Sequence, residues 1–174
     1  MVPNTDFELQ PTLTGELVQL RPLRPDDFEA LYAAASDPLI WEQHPEPTRY
    51  TRDVFQKFFN GAMASGGAFV VIDRASGGVI GSTRYDDYKI GPPSEVEIGF
   101  TFLQRAFWGG RYNGEMKRLM IDHALRSVER VVFTVGENNL RSRKALEKIG
   151  AKLKGRIDRP TPDGSPNLLY EIIR

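Results

Sequence analysis

The chain has 174 residues, 40% of them hydrophobic and 26% charged, with 23 lysines and arginines against 23 aspartates and glutamates. That length suits one domain with a substantial core, and the balanced charge supplies no basic field to recruit nucleic acid or an anionic membrane. The lack of cysteine excludes disulfides, a thiol nucleophile and Cys-based zinc or iron–sulfur centres. The two histidines, His44 and His123, lie too far apart in sequence to suggest a metal site, so none is expected. No run approaches the ~20 apolar residues of a membrane span, and the first ten residues lack the apolar segment of a signal peptide. The cytoplasm is therefore the expected location.

Residues 1–14 are polar, hold two prolines and read as a lead-in, with one domain over 15–174. Residues 16–21 alternate and suggest a first strand. Pro25 suits the first position of a helix over 25–36, with Asp26 and Asp27 in its first turn and Phe28, Leu31, Tyr32 and Ala35 on one face. A proline-rich loop over 38–50 carries Trp41 and His44. A second helix over 51–64 presents Phe55, Phe58, Phe59 and Ala62 at helical spacing. Residues 68–73 form an apolar run fit for a strand covered on both faces, and 79–85 form its hairpin partner. Residues 95–102 alternate. Val96, Ile98, Phe100 and Phe102 are expected on one face, and Glu95, Glu97, Gly99 and Thr101 on the other. A helix over 112–128, a buried strand over 131–135, a helix capped by Asn139 and ended by Gly150, and strands over 151–157 and 168–173 complete the chain. This order implies α+β or mixed α/β with one central sheet.

Residues 104–149 hold most of the chemistry. Trp108-Gly109-Gly110-Arg111-Tyr112-Asn113 joins a strand to a helix. Glycines there let backbone N–H groups converge on an anion, and the helix dipole adds to the attraction. Arg105, Arg111 and Lys117 are near enough in sequence to add charge. The same stretch also fits a plain glycine-rich connection. It matches neither GxxxxGK[ST] nor GxGxxG, so P-loop and dinucleotide-binding folds are poor readings. Two glutamates on a strand otherwise built for a core are a local conflict of the kind found at functional sites. His123, on an apolar helix face, reads as a core histidine.

ELVQLRPLRPDDFEALY, GGVIGSTRY, EVEIGFTFL, WGGRYNGEMKRLMIDHAL and NNLRSRKALEKIGA occur in an order that resembles the GNAT (Gcn5-related) N-acetyltransferase superfamily, in particular the branch of ribosomal-protein N-terminal acetyltransferases. The resemblance implies a mostly antiparallel mixed sheet flanked by about four helices and splayed at the fourth strand. It also implies acetyl-CoA as cosubstrate, no metal, and transfer to a primary amine of a small molecule or a protein N-terminus by a monomer or homodimer. Trp108, Gly109, Gly110, Arg111, Tyr112 and Asn113 would hold the pyrophosphate. Trp108, Arg111 and Asn113 depart from the family's Q/R-x-x-G-x-G/A pattern there. Phe100, Thr101 and Phe102 would offer backbone to the pantetheine arm, with Asn139 and Ser142 near the thioester. Glu97 is the candidate general base, with a paired strand glutamate as the plainer reading and Glu95 as a weaker candidate. Ser142 is the candidate proton donor to sulfur, or else an ordinary first-turn serine. Leu146 stands where the family commonly has a tyrosine. Trp41, His44, Arg84 and Tyr85 are candidate acceptor contacts, and Arg84 suits a carboxylate. A non-catalytic acyl-CoA-binding protein on the same fold is the alternative.

Overall fold

The computed structural model describes residues 7–174. Twelve principal elements follow in order: β1 (Leu13–Thr14), β2 (Val18–Pro22), α1 (Phe28–Ala35), α2 (Arg52–Ser65), β3 (Ala68–Asp73), β4 (Val79–Lys89), β5 (Glu95–Leu103), α3 (Arg111–Leu125), β6 (Arg130–Gly136), α4 (Leu140–Lys148), β7 (Lys152–Ile157) and β8 (Asn167–Ile173). The lead-in expected over 1–14 lies outside the described residues up to residue 6. Its described part contributes Phe7 to the core and β1 to the sheet edge.

The eight strands form one sheet in the order β1-β2-β3-β4-β5-β6-β8-β7. Every neighbouring pair is antiparallel except β5 and β6, which run parallel. Helices cover both faces. Phe55, Phe58, Phe59 and Ala62 of α2 and Leu31 of α1 pack with Val70 and Phe102 on one face. Met116, Met120, Ile121 and Ala124 of α3 and Leu146 of α4 pack with Phe69, Val71, Val96 and Ile98 on the other. The apolar run of β3 thus feeds two cores through alternate residues.

The expected face of Phe100 and Phe102 is corrected. Ser82 and Arg84 of β4 lie opposite Phe102 and Gly99, so two residues of β4 span three of β5. The extra residue is accommodated at Phe100, whose φ of 53° is left-handed. A side chain bearing Cβ adopts that conformation at a cost of ~1–2 kcal/mol. Such a bulge reverses the alternation beyond it. Val96 and Ile98 face α3, whereas Phe102 joins Trp41, Phe55 and Phe58 on the opposite face.

Parallel pairing of β5 with β6 covers only Glu95, Glu97 and the residue between them. Beyond Glu97 the strands part, which is the splay expected at the fourth strand; β1 makes it the fifth. Arg130 pins the closed end by bonding Glu95 at 2.8 Å and Glu171 at 3.1 Å. Glu95 is therefore spent on structure. Across the sheet, the Glu115 carboxylate on α3 accepts the backbone N–H groups of Glu16, Leu17 and Val18 at 2.7, 2.8 and 2.8 Å. This clasp ties α3 to the start of β2. Replacing Glu115 with alanine leaves those donors without their charged acceptor and should cost ~2–4 kcal/mol. Thermal unfolding should show the melting temperature falling by ~5–15 °C.

Candidate active site

The parting of β5 and β6 opens a cleft of about 550 Å³. One wall is β5 from Glu97 to Leu103, and the other is β6 from Phe133 to Gly136 with the start of α4. The N-terminus of α3 closes one end. The loop before α2 and the β7–β8 loop close the other.

At the α3 end, Gly109 and Gly110 have φ of 116° and 99°, which only glycine adopts readily. Gly110 is the helix cap and has no side chain to satisfy the first N–H groups of α3. The first intrahelical bond runs from Gly114 N–H to Gly110 C=O, so among the described residues the donors before it have no partner and are open to a ligand. A Cβ on Gly110 would stand 2.8 Å from Lys148 Nζ, which places an ammonium beside the same loop. This arrangement fits a pyrophosphate through its charge and its need for convergent donors. The parted strand edge beyond it fits an extended arm bearing amides.

The site residues inferred from the sequence divide clearly. Phe100, Thr101, Phe102, Trp108, Gly109, Gly110, Asn113, Asn139 and Ser142 all line the cleft, as do Glu97, Trp41 and His44. Four others do not. Arg111 begins α3 exposed to solvent, so it leaves the backbone loop uncrowded. Tyr112 turns away to Asp73, donating to its Oδ1 at 3.2 Å. Tyr85 lies on the α3 face of β4, fully buried, with its hydroxyl donating to the Met120 carbonyl. Arg84 lies beneath the Phe100 ring, 3.4 Å from its centroid, which screens it from the cleft. His123, expected in the core, is only half-buried; its ring lies 5.5 Å from that of Phe7 and Nε2 meets the Glu8 carbonyl at 2.8 Å.

Glu97 is 7% exposed and opposite Asp86 across the β4–β5 ladder. Burial pushes its carboxyl up to about 7; Arg159, at 3.7 Å, opposes the rise, and Asp86 and Asp87 add to it. Such a group changes charge near neutral pH. Asn139 caps α4 by accepting the Ser142 backbone N–H at 3.4 Å. Among the described residues the Ser142 hydroxyl makes no bond within the protein, so its proton is available to the cleft. Leu146 adds an apolar patch where the family commonly has a tyrosine. Trp108 donates to the Leu103 carbonyl at 2.9 Å and carries the Arg141 guanidinium 3.9 Å from its ring centroid.

Lys117, in sequence merely a charge near the glycine loop, has a more specific place in the structure. It lies inside the cleft wall, 6% exposed, donating to Thr101 Oγ1 at 2.7 Å with no carboxylate partner among the described residues. Its signal in the sequence was a lone cation among Met116, Met120, Ile121 and Ala124 on the buried face of α3. Arg49, Arg141 and Arg159 also line the cleft, but they come from separate segments, and no spacing in the sequence links them.

The family model described as "Acetyltransferase (GNAT) domain" matches residues 18–152. The chain belongs to this acetyltransferase family. Its fold is shared with a GCN5-related N-acetyltransferase from Brucella melitensis at 21% identity and a TM-score of 0.84, covering 96% of this chain and 80% of that one. Mycobacterium smegmatis RimJ in complex with CoA-disulfide aligns at 22% identity and 0.73, covering 94% and 87%. RimL, a ribosomal L7/L12 α-N-protein acetyltransferase in complex with coenzyme A, aligns at 16% and 0.74, covering 94% and 98%. Ribosomal-protein acetyltransferases, the branch that the motifs resemble, are thus among its fold neighbours.

Burial holds the Lys117 amine at about 7, against an ordinary 10.5. Between those values the unfolded chain binds one more proton than the folded one, so stability falls as pH drops from 10.5 to 7 and the loss persists below. Lys117→Met should therefore raise the melting temperature at pH 7 by ~3 °C or more and flatten its dependence on pH from 7 to 10, as measured by thermal unfolding across buffers.

Proposed function

We propose that the protein transfers an acetyl group from acetyl-CoA directly to a primary amine, of a small molecule or of a protein N-terminus. The observation that carries this reading is the buried Glu97 carboxyl, poised near neutrality on the wall of a cleft that begins at an uncapped helix. Uncapped N–H groups of α3 hold the pyrophosphate, with Lys148 beside them. The free edge of β5 takes the pantetheine amides and points backbone donors at the thioester carbonyl. An amine arrives as an ammonium and cannot attack until it loses a proton. Glu97 accepts that proton, directly or through water. The amine nitrogen then bonds to the carbonyl carbon, the C–S bond breaks, and the Ser142 hydroxyl donates toward the departing sulfur, while the acylated nitrogen sheds its second proton to solvent and Glu97 releases the first. Ser142 recovers its proton from solvent, so the products are the amide, free CoA thiol and one released proton. The RimL fold neighbour, a ribosomal L7/L12 α-N-protein acetyltransferase, supports protein N-termini as one acceptor class.

A second reading, acyl-CoA binding without transfer, is favoured by one observation: the apolar Leu146 at the position of the family's common acid. Stabilisation by acetyl-CoA without thiol release over an amine panel would establish it.

A base must be deprotonated to act, so kcat/KM should fall about tenfold per pH unit below 7 and level off above. Glu97→Gln should lower kcat by ~100-fold or more and abolish that acid limb, while acetyl-CoA affinity stays within about twofold. Free-CoA detection from pH 5.5 to 9 measures both. An unchanged profile would remove Glu97 from the mechanism.

A further inference from the structure

The acceptor end of the cleft contains hydrogen-bond donors that face one another without an acceptor between them. His44 Nδ1 accepts the Glu46 backbone N–H at 2.9 Å. Burial and the nearby Arg49 and Arg141 cations hold the imidazole far below its ordinary range, at about 3, so the ring is neutral. A neutral ring whose Nδ1 accepts must carry its proton on Nε2. That N–H points at Arg49 Nη1, 3.4 Å away. Guanidinium nitrogens donate only, so this contact joins two donors and forms no bond. Arg49 is held in place, its guanidinium 5.3 Å from the Trp41 centroid and 4.8 Å from that of Phe58. Its Nε is buried without a partner among the described residues.

The surrounding charge does not supply the missing acceptor. Among the described residues no carboxylate comes within 4.0 Å of Arg49. Glu46, the acid acting most strongly on it, accepts instead from the Thr48 hydroxyl at 2.8 Å. Arg84 repels Arg49 from behind Phe100, Arg141 acts in the same sense on His44 from α4, and Asp163, the acid that opposes them at His44, accepts instead from the Ser165 N–H and hydroxyl at 2.9 and 2.6 Å. A half-buried cation without a counter-ion carries part of the cost of desolvation, and a donor without an acceptor adds to it. A ligand oxygen bearing negative charge that bridges the two nitrogens from the cleft side supplies the missing counter-charge and accepts from both donors. A carboxylate has the right chemistry, since it accepts at every lone pair and prefers guanidinium.

We propose that Arg49 and His44 form a carboxylate-binding subsite, so that the acceptor is an amine bearing a carboxylate. This deepens the N-acetyltransferase reading by naming its substrate class, and it rests on that reading for the amine. The carboxylate is either the α-carboxylate of an amino acid or the side-chain carboxylate of an acidic N-terminal residue.

The test is calorimetric titration of the CoA-saturated protein with three matched product analogues. N-acetyl-glutamine carries only an α-carboxylate, N-acetyl-isoglutamine only a side-chain carboxylate, and N-acetyl-glutamine amide neither. One of the first two should bind at least tenfold more tightly than the third, and which one identifies the source. Arg49→Gln should bring all three within about twofold of one another, while Arg49→Lys should retain part of the preference. Equal binding of all three, binding of none, or a preference that survives Arg49→Gln would overturn the subsite. Thiol release from the matching free amines separates the two readings: a carboxylate preference in binding without thiol release from any amine keeps the subsite and removes acetyl transfer.

Discussion

Strands β5 and β6 can share backbone hydrogen bonds only where they run side by side, and that contact ends at Glu97. The rest of the cleft follows from this limit. Strand β6 keeps its other edge paired with β8 from Arg130 to Gly136, and β5 keeps its other edge paired with β4. Neither strand can follow the other without breaking a ladder. The Arg130 ion pairs fix the closed end, so the gap widens in one direction only. The edges that face the gap carry N–H and C=O groups whose hydrogen bonds an extended ligand can complete. Mouth, depth and direction of the cleft are therefore properties of strand pairing, and side chains decorate a space that already exists.

Two ionisable groups with opposite charge preferences share this space. Burial drives the Glu97 carboxyl up and the Lys117 amine down, and both reach about 7. Neither is paired as its residue type usually is: Glu97 has one exposed arginine at 3.7 Å and Lys117 has a threonine. The cleft withholds solvation from charge of either sign. This makes it a poor place for a resting ion and a good one for a group that must gain or lose a proton during each cycle.

Most of the architecture was legible in the sequence because periodicity is a local signal. The aromatic stripe of α2 and the two-faced run of β3 each specified an element and its burial. Non-local geometry was less legible. The sole local hint of the bulge is Gly99 beside it; Phe100 itself lacks the glycine that would betray a left-handed backbone, so simple alternation puts Phe102 on the wrong face. Gly109, Gly110, Asn139 and Ser142 reached the cleft because the ordered motifs fixed their place in the fold. Tyr85 and Tyr112 missed it because membership of a motif does not determine which way a side chain points. Arg49, Arg141 and Arg159 meet only after three separate segments have folded, so no window of sequence contains them together. Lys117 was legible in principle, as a charge standing where the helical period demanded an apolar residue.

The cleft is built from materials of unequal stiffness. In the proposed reaction its donor half is β5, β6 and the clasped helix α3. Its acceptor half is made by the 38–50 loop, which holds Trp41, His44 and Arg49, and by the connection after β7, where Thr161 and Ser165 bond one another across a short turn. Loop positions accept substitution more readily than a paired strand does. Under the proposed reaction, a lineage carrying this fold exchanges one amine for another by drift in two loops, while the proposed grip on the acyl carrier stays under the constraint of the sheet. Change in substrate range and permanence of cofactor are, in this molecule, two outcomes of where the backbone is tied down.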